Sequence, residues 1–280
     1  MTATAGSGAD LLPIASFWFG ELSWLERLCL ASFAHHGHPV HLYGYEPIAG
    51  LPDGVEWRDA ADVVPRERLV FYKGRGTAGV FSDLFRMSLM RQQRGIWADA
   101  DMYCVRPIVN PPPYLFGYER APRPDGTGGS INGAVLLLPH DAPLLDDLLS
   151  VFDEGERPLF EPHLPPFRRL EVAARRLLGA KVPPEYMQYG ATGPFALTHF
   201  VRVRGLTRFV QPTDVFYPVP YEGIPALMRA GSSIDNAVTE RTLAVHIWRS
   251  QLTDRGRAGI GTPEPGSALA DLCRREGIAL

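Results

Sequence analysis

Cysteine is scarce in this 280-residue chain, with Cys29, Cys104 and Cys273 scattered through apolar or helix-like surroundings. That spacing builds neither a disulfide framework nor a zinc cluster, which leaves buried free thiols. Lysine is nearly absent, only Lys73 and Lys181, while arginine is abundant; the bias fits genomic base composition as readily as a need for guanidinium forks. Blocks of like charge are missing, the formal net charge is −3 and the basic residues are dispersed, which excludes a nucleic-acid surface. No apolar run approaches the roughly 18 residues of a membrane span, so no transmembrane segment is expected. Residues Met1 to Gly8 lack a basic head followed by an apolar core, and a cytoplasmic protein is the expectation. What the chain does have is hydrophobic content, 45 % of its residues, enough to bury a large core.

The first half alternates strand and helix. A strand is expected over 13–20, a helix from Ser23 to His36 opened by a Ser23/Glu26 capping box and closed by Gly37, and strands over Val40 to Tyr45 and around Val55 to Trp57. The loop 73–79, rich in glycine, is placed to close over a ligand, and a helix from Ser82 to Arg94, with Ser82 as its N-cap, is stopped by Gly95. This order reads as an α/β sandwich with a mononucleotide-binding, Rossmann-like N-terminal half, whose ligands bind at the carboxyl ends of the strands. Further strands are expected at Leu115–Tyr118, Ile131–Leu138, Phe209–Gln211 and Leu243–Trp248, with loops at Pro111–Pro113 and Arg120–Ser130. A helix from near Pro143 carries Leu144, Leu145, Leu148, Leu149 and Phe152 on one stripe, a second ends at Gly179, and Pro194 suits another helix start.

Asp99 and Asp101 follow the apolar run Ile96-Trp97-Ala98. If the strand continues through them, their side chains share a face with only Ala100 between. Two carboxylates so placed form a chelate for a hard divalent cation, magnesium or manganese, whose other positions go to water and substrate phosphates. A nucleoside diphosphate is the matching guest. The plainer alternative is a pair of solvated carboxylates at a strand end, which would repel and desolvate each other at a cost that a cation removes.

Four motifs occur in order: Ser16-Phe17-Trp18-Phe19-Gly20, Ser82-Asp83-Leu84-Phe85-Arg86, Arg94-Gly95-Ile96-Trp97-Ala98-Asp99-Ala100-Asp101, and His246-Ile247-Trp248. Together they resemble the retaining glycosyltransferases with a GT-A fold and a D-x-D motif, a family that includes certain mannosyltransferases, capsular-polysaccharide sugar transferases and the large clostridial glucosylating toxins. The resemblance runs from about Ile14 to Trp248 and departs at Arg94, where a glycine is usual, and at Trp97, where tyrosine or phenylalanine is. It implies a single GT-A domain over 10–280, with a nucleotide-sugar and metal half over 10–138 and an acceptor half over 139–280. It implies Trp18 on the nucleobase, Asp83 on ribose or sugar hydroxyls, Arg86 on the sugar and diphosphate, Asp99 and Asp101 on the metal, and His246 as third ligand. It also brings Ser82, Asn132, Gly193 and Trp248 toward the donor site. For each residue a purely structural role stands beside this one: a core tryptophan at Trp18, an intrahelical ion pair for Asp83 and Arg86, a core histidine at His246, a turn residue at Asn132, and packing for Trp248.

The activity so implied moves a hexose from a nucleotide-sugar donor, a UDP-sugar, to a carbohydrate or small-molecule hydroxyl acceptor with retention, for example in polysaccharide biosynthesis. An imidazole ligand would favour manganese over magnesium. Acceptor choice is expected in the loops 119–130, 155–166 and 219–240, the last a candidate lid. Three rival classes use some of the same residues. A phosphohydrolase of the haloacid-dehalogenase type would use one of Asp99 and Asp101 as nucleophile and the other as acid/base. A glycoside hydrolase needs two carboxyl groups on opposite sides of the scissile bond, which one strand face cannot easily supply. A non-catalytic sugar-nucleotide-binding protein would keep the motifs without turnover.

Overall fold

The computed structural model describes residues 11–72, 77–153, 159, 161–253 and 259–280. The proposed ligand-closing loop therefore falls largely outside the described residues, as does the start of the 155–166 acceptor loop. Among the described residues, no helix is long and apolar enough to cross a membrane.

The chain opens with β1 (Ile14–Phe17), α1 (Trp24–His35), β2 (Val40–Gly44), β3 (Val55–Asp59), α2 (Gly79–Arg91) and β4 (Ile96–Ala98). The four strands lie parallel in the order β3-β2-β1-β4. A hairpin of β6 (Leu115–Pro122) and β7 (Gly128–Leu137) completes a six-stranded sheet by pairing β7 antiparallel to β4. The period of two in each strand sorts side chains to two faces. Ala15, Phe17, Tyr43 and Trp97 go to one core with Phe81, Leu84 and Phe85 of α2, where Phe17 lies 5.0 Å from both phenylalanine rings. Ile14, Val40, Leu42, Ile96 and Ala98 go to the other with Leu30 and Phe33 of α1. The result is the expected three-layer α/β sandwich with a mostly parallel central sheet.

Local chemistry explains most boundaries. Ser23 caps α1 and Glu26 returns the bond, its carboxylate accepting from the Ser23 N–H at 2.7 Å, as the capping box requires. Gly95 has φ +113°, and a Cβ there would lie 2.3 Å from the Pro13 carbonyl oxygen, so only glycine lets β4 enter beside β1. Three expectations are corrected. Ser82 is not a cap: α2 begins three residues earlier, at Gly79, because Val80 and Phe81 gain complete burial by joining the helix. Residues 120–130 are not a loop throughout but continue the β6–β7 hairpin around a turn in which the Asp125 carboxylate accepts from the Thr127 N–H at 2.8 Å. Pro122 is tolerated because β6 is an edge strand. At 209–211 there is no strand: Thr207–Phe209 is a 3-10 turn, and only Gln211 bridges to Gly117.

Beyond the hairpin come α3 (Pro143–Ser150), α4 (Pro166–Leu177), a π turn at Ala191–Phe195 leading into α5 (Ala196–Val203), and α6 (Thr213–Phe216). A two-stranded sheet pairs β5 (Met102–Cys104) antiparallel with β8 (Ala244–His246), followed by α7 (Arg249–Leu252) and α8 (Ala268–Arg275). Val245 and Ile247 share a third core with Leu25 and Leu28 of α1 and Leu269 and Leu272 of α8. The segment read as a candidate lid is pinned in the same core by Ile224, Leu227 and Ile234, and only its start at 219–222 reaches a cleft.

Candidate metal and diphosphate site

The two aspartates do not lie on one extended strand. β4 ends at Ala98, and the chain turns through Asp99–Asp101, with the Met102 N–H donating to the Asp99 carbonyl at 2.9 Å. The Asp99 N–H donates to the Ala134 carbonyl of β7 at 2.7 Å, which holds the turn at the carboxyl end of the parallel sheet. β5 then leaves to pair with β8, and their register sets Met102 opposite His246. The turn nonetheless brings the two carboxylates together with the imidazole: one ligand atom each from Asp99, Asp101 and His246 lies within 4.8 Å of the others.

Asp99 Oδ1 accepts from the Trp97 indole N–H at 2.7 Å and lies 3.2 Å from an Arg86 nitrogen. Arg86, on α2, also sits 3.3 Å from Asp83, donates to the Gly133 carbonyl at 2.8 Å and stacks over Trp97 at 5.0 Å. Asp83 is fixed in turn by the Thr192 hydroxyl at 2.6 Å, and Thr192 lies 3.2 Å from the Tyr72 hydroxyl. Asp101 Oδ1 is 3.2 Å from His246 Nε2, and its Oδ2 accepts the Arg249 backbone N–H at 2.9 Å.

Burial raises the pKa of the Asp83 carboxyl, and Arg86 and Thr192 only partly offset it. Asp99 is also raised, by burial first and by Asp101, against the pull of Arg86. For Asp101 burial is again the largest influence and acts upward, yet the charge and hydrogen bond of His246 together with the Arg249 N–H win, and its pKa falls. His246 mirrors this: burial pushes it down, but Asp101 and Asp99 more than compensate, so it rises.

The donor set suits a hard-to-borderline divalent cation, two carboxylates and one imidazole. Among the described residues His246 Nδ1 is buried without a hydrogen-bond partner, which leaves one ring nitrogen for a cation while the other faces Asp101. The His246 ring is stacked against Trp248, with centroids 3.8 Å apart.

These groups open on a cleft of about 760 Å³. Asp83, Arg86, Asp99, Asp101, Asn132, His246 and Trp248 all line it. Trp18, Ser82 and Gly193 do not. Trp18 is half-buried against the core, donates from Nε1 to the Glu21 carbonyl at 3.0 Å, and lies 5.6 Å from the Arg249 guanidinium. Gly193 sits behind Asp83, where a Cβ would come within 2.7 Å of the carboxylate, so its contribution is room for Asp83. Sequence reasoning missed Glu119 and Arg249. Glu119 lines the cleft and accepts from Asn132 Nδ2 at 2.7 Å and from the Ser130 hydroxyl at 2.9 Å. It opens the 119–130 segment read as an acceptor loop, but nothing in the sequence singles it out there, because its neighbours across the hairpin are set by register. Arg249 lines the cleft while its Nε donates to the buried Glu26 at 2.8 Å, and its place directly after the His246-Ile247-Trp248 motif was the available signal.

No protein-family model matches the chain, and no curated protein matches it in sequence. Among solved structures it is similar to the PaToxG glycosyltransferase, with a TM-score of 0.42 and 13 % identity, covering 70 % of this chain and 71 % of that one.

Proposed function

We propose that residues 10–280 form one metal-dependent glycosyltransferase domain of the GT-A kind. It moves a hexose from a nucleoside diphosphate sugar, a UDP-sugar in the first instance, to a hydroxyl acceptor with retention of configuration. The observation that carries this reading is the convergence of Asp99, Asp101 and His246 within 4.8 Å in the wall of a cleft that also takes in the buried Asp83–Arg86 pair. A cleft of about 760 Å³ suits a small-molecule ligand.

Asp99, Asp101 and His246 would hold the cation, manganese in preference to magnesium because of the imidazole. Bound there, it supplies positive charge to the departing diphosphate. The chain's own residues support the same charge. Arg86 is aligned by Asp83, Asp99 and the Gly133 carbonyl, so its guanidinium is pre-organised beside the metal ligands. Arg249 brings a second guanidinium to the cleft, braced by Glu26. Asp83, Asn132 and Glu119 offer polar atoms for sugar or acceptor hydroxyls. Trp248, against His246, offers an apolar wall.

A phosphohydrolase in which Asp99 attacks phosphorus is less well served. Its Oδ1 is already held by Trp97 and Arg86, and both oxygens of Asp101 have partners, so no free acid/base stands beside it. The deciding assay is UDP release from a panel of UDP-sugars, with manganese or with chelator. Release is expected only with the metal and is expected to fall roughly a hundredfold in Asp101→Asn. Metal-independent release, or no turnover of any UDP-sugar together with no binding of UDP and manganese, would overturn the assignment.

A further inference from the structure

Helix α4 buries one face and leaves the other apolar. Val172 and Ala173 pack into a small core with Leu164, Val182, Met187 and Ala191. On the opposite side Phe167, Leu170, Leu177 and the adjoining Leu178 are 74 %, 63 %, 73 % and 87 % exposed. With the exposed Ala174 they recur at spacings of three, four, three and one, a single stripe along the helix. Large side chains this exposed are not placed by the fold's own packing.

The charge around the stripe is predominantly positive. From Pro166 to Lys181 the chain carries Arg168, Arg169, Arg175, Arg176 and Lys181 against one acid, Glu171, and Arg176 is paired with the buried Glu161 at 2.7 Å, although the whole protein has a formal net charge of −3. Arg168 and Arg175 share that acid, at 2.5 and 3.0 Å, so the trio keeps one positive charge in excess. All three line a hollow of about 260 Å³ between α4 and the segment 182–189. An apolar stripe flanked by arginines, whose long stems can lie along apolar surface while their heads stay in water, is the pattern of a helix lying in the plane of a membrane interface.

We propose that α4 docks this protein onto an anionic lipid bilayer, with the stripe entering the acyl boundary and Arg168, Arg175 and Lys181 meeting headgroup phosphates. A second copy of the chain fits the face less well, because a two-fold contact would set this positive surface against itself. Tyr189 lines both the small hollow and the large cleft, so a docked α4 brings the cleft close to the bilayer surface. The inference goes beyond the transferase reading and does not depend on it.

The test is co-sedimentation of the full chain with vesicles of phosphatidylcholine alone or mixed with phosphatidylglycerol. Binding is expected to the anionic vesicles only and to weaken with salt. Leu170→Glu and Leu178→Glu are each expected to lower partitioning on the order of tenfold or more, and Arg175→Gln to lower it less. Because these side chains are exposed, the variants should keep the wild-type melting temperature, and Leu170→Ala provides a milder check in the same direction. Failure to bind anionic vesicles, binding that survives both glutamate substitutions, or self-association of the wild type that the same substitutions abolish would overturn the proposal.

Discussion

Arg86 holds two buried carboxylates, and removing it should be costly in a way that identifies the cause. Its nitrogens lie 3.3 Å from Asp83 and 3.2 Å from Asp99, and the side chains of Arg86 and Asp83 are almost wholly buried. At an effective dielectric of about 20, each contact represents about 5 kcal/mol of gross attraction, most of it offset by desolvation. Removing one partner of such a group leaves uncompensated buried charge, for which about 3–5 kcal/mol is the expected loss. Arg86→Met should therefore lower the melting temperature by roughly 6–20 °C. The loss should be smaller when Asp99→Asn is added, because the unpaired charge rather than the missing packing is responsible. It should also depend on pH. Without Arg86, Asp83 and Asp99 rise still further above their unfolded pKa values, so their penalty is absent at acid pH and grows as pH climbs through the folded values. Calorimetry of the single and double variants at pH 5 and pH 8 measures all of this. A single variant as stable as the wild type at pH 8, or a double variant less stable than the single, would refute the reasoning.

Two further predictions concern the frame. Gly95→Ala must relieve both a left-handed backbone and a Cβ at 2.3 Å from Pro13 O, so it should cost about 3 kcal/mol or more or prevent soluble expression, read from urea midpoints; a change under about 1 kcal/mol would contradict the close approach. His38 is buried, with Nδ1 2.9 Å from the Leu12 carbonyl and Nε2 accepting the Ile108 N–H at 3.0 Å, and burial lowers its pKa. The unfolded chain then binds the proton more readily, so this contribution is full above pH about 6.5 and is lost as pH falls through the lowered folded value. Melting temperatures of wild type and His38→Gln between pH 5 and 8 should converge toward the acid end, and parallel curves would dismiss the role.

The parts of this fold that could be read directly were those decided locally. The Ser23/Glu26 box and the leucine stripe of α3 depend on neighbours three or four residues apart, and both appear where expected. Elements decided by distant partners were misplaced. Ser82 has the chemistry of a cap, but burial of Val80 and Phe81 against β1 carries the helix past it. The Asp99–Asp101 turn is held by β8 and the residue after it, more than 140 residues downstream, where the Ile247 N–H donates to the Asp101 carbonyl at 2.9 Å. Within the site, the motif residues Asp83, Arg86, Asp99, Asp101 and His246 were legible because they stand in recognisable patterns. Glu119 was not, since only the hairpin register brings it to Asn132. Trp18 stands in its motif, yet the Arg249 guanidinium rather than the cleft lies over its ring.

Manganese binding measured directly, by electron paramagnetic resonance of the free ion in the presence and absence of UDP, tests the central claim without requiring the correct sugar or acceptor. One ion per chain should bind, more tightly with UDP present, and Asp101→Asn should lose the site while keeping its fold. Binding that is absent in the wild type, or that persists unchanged in Asp101→Asn, would contradict the assignment of Asp99, Asp101 and His246 as the metal centre.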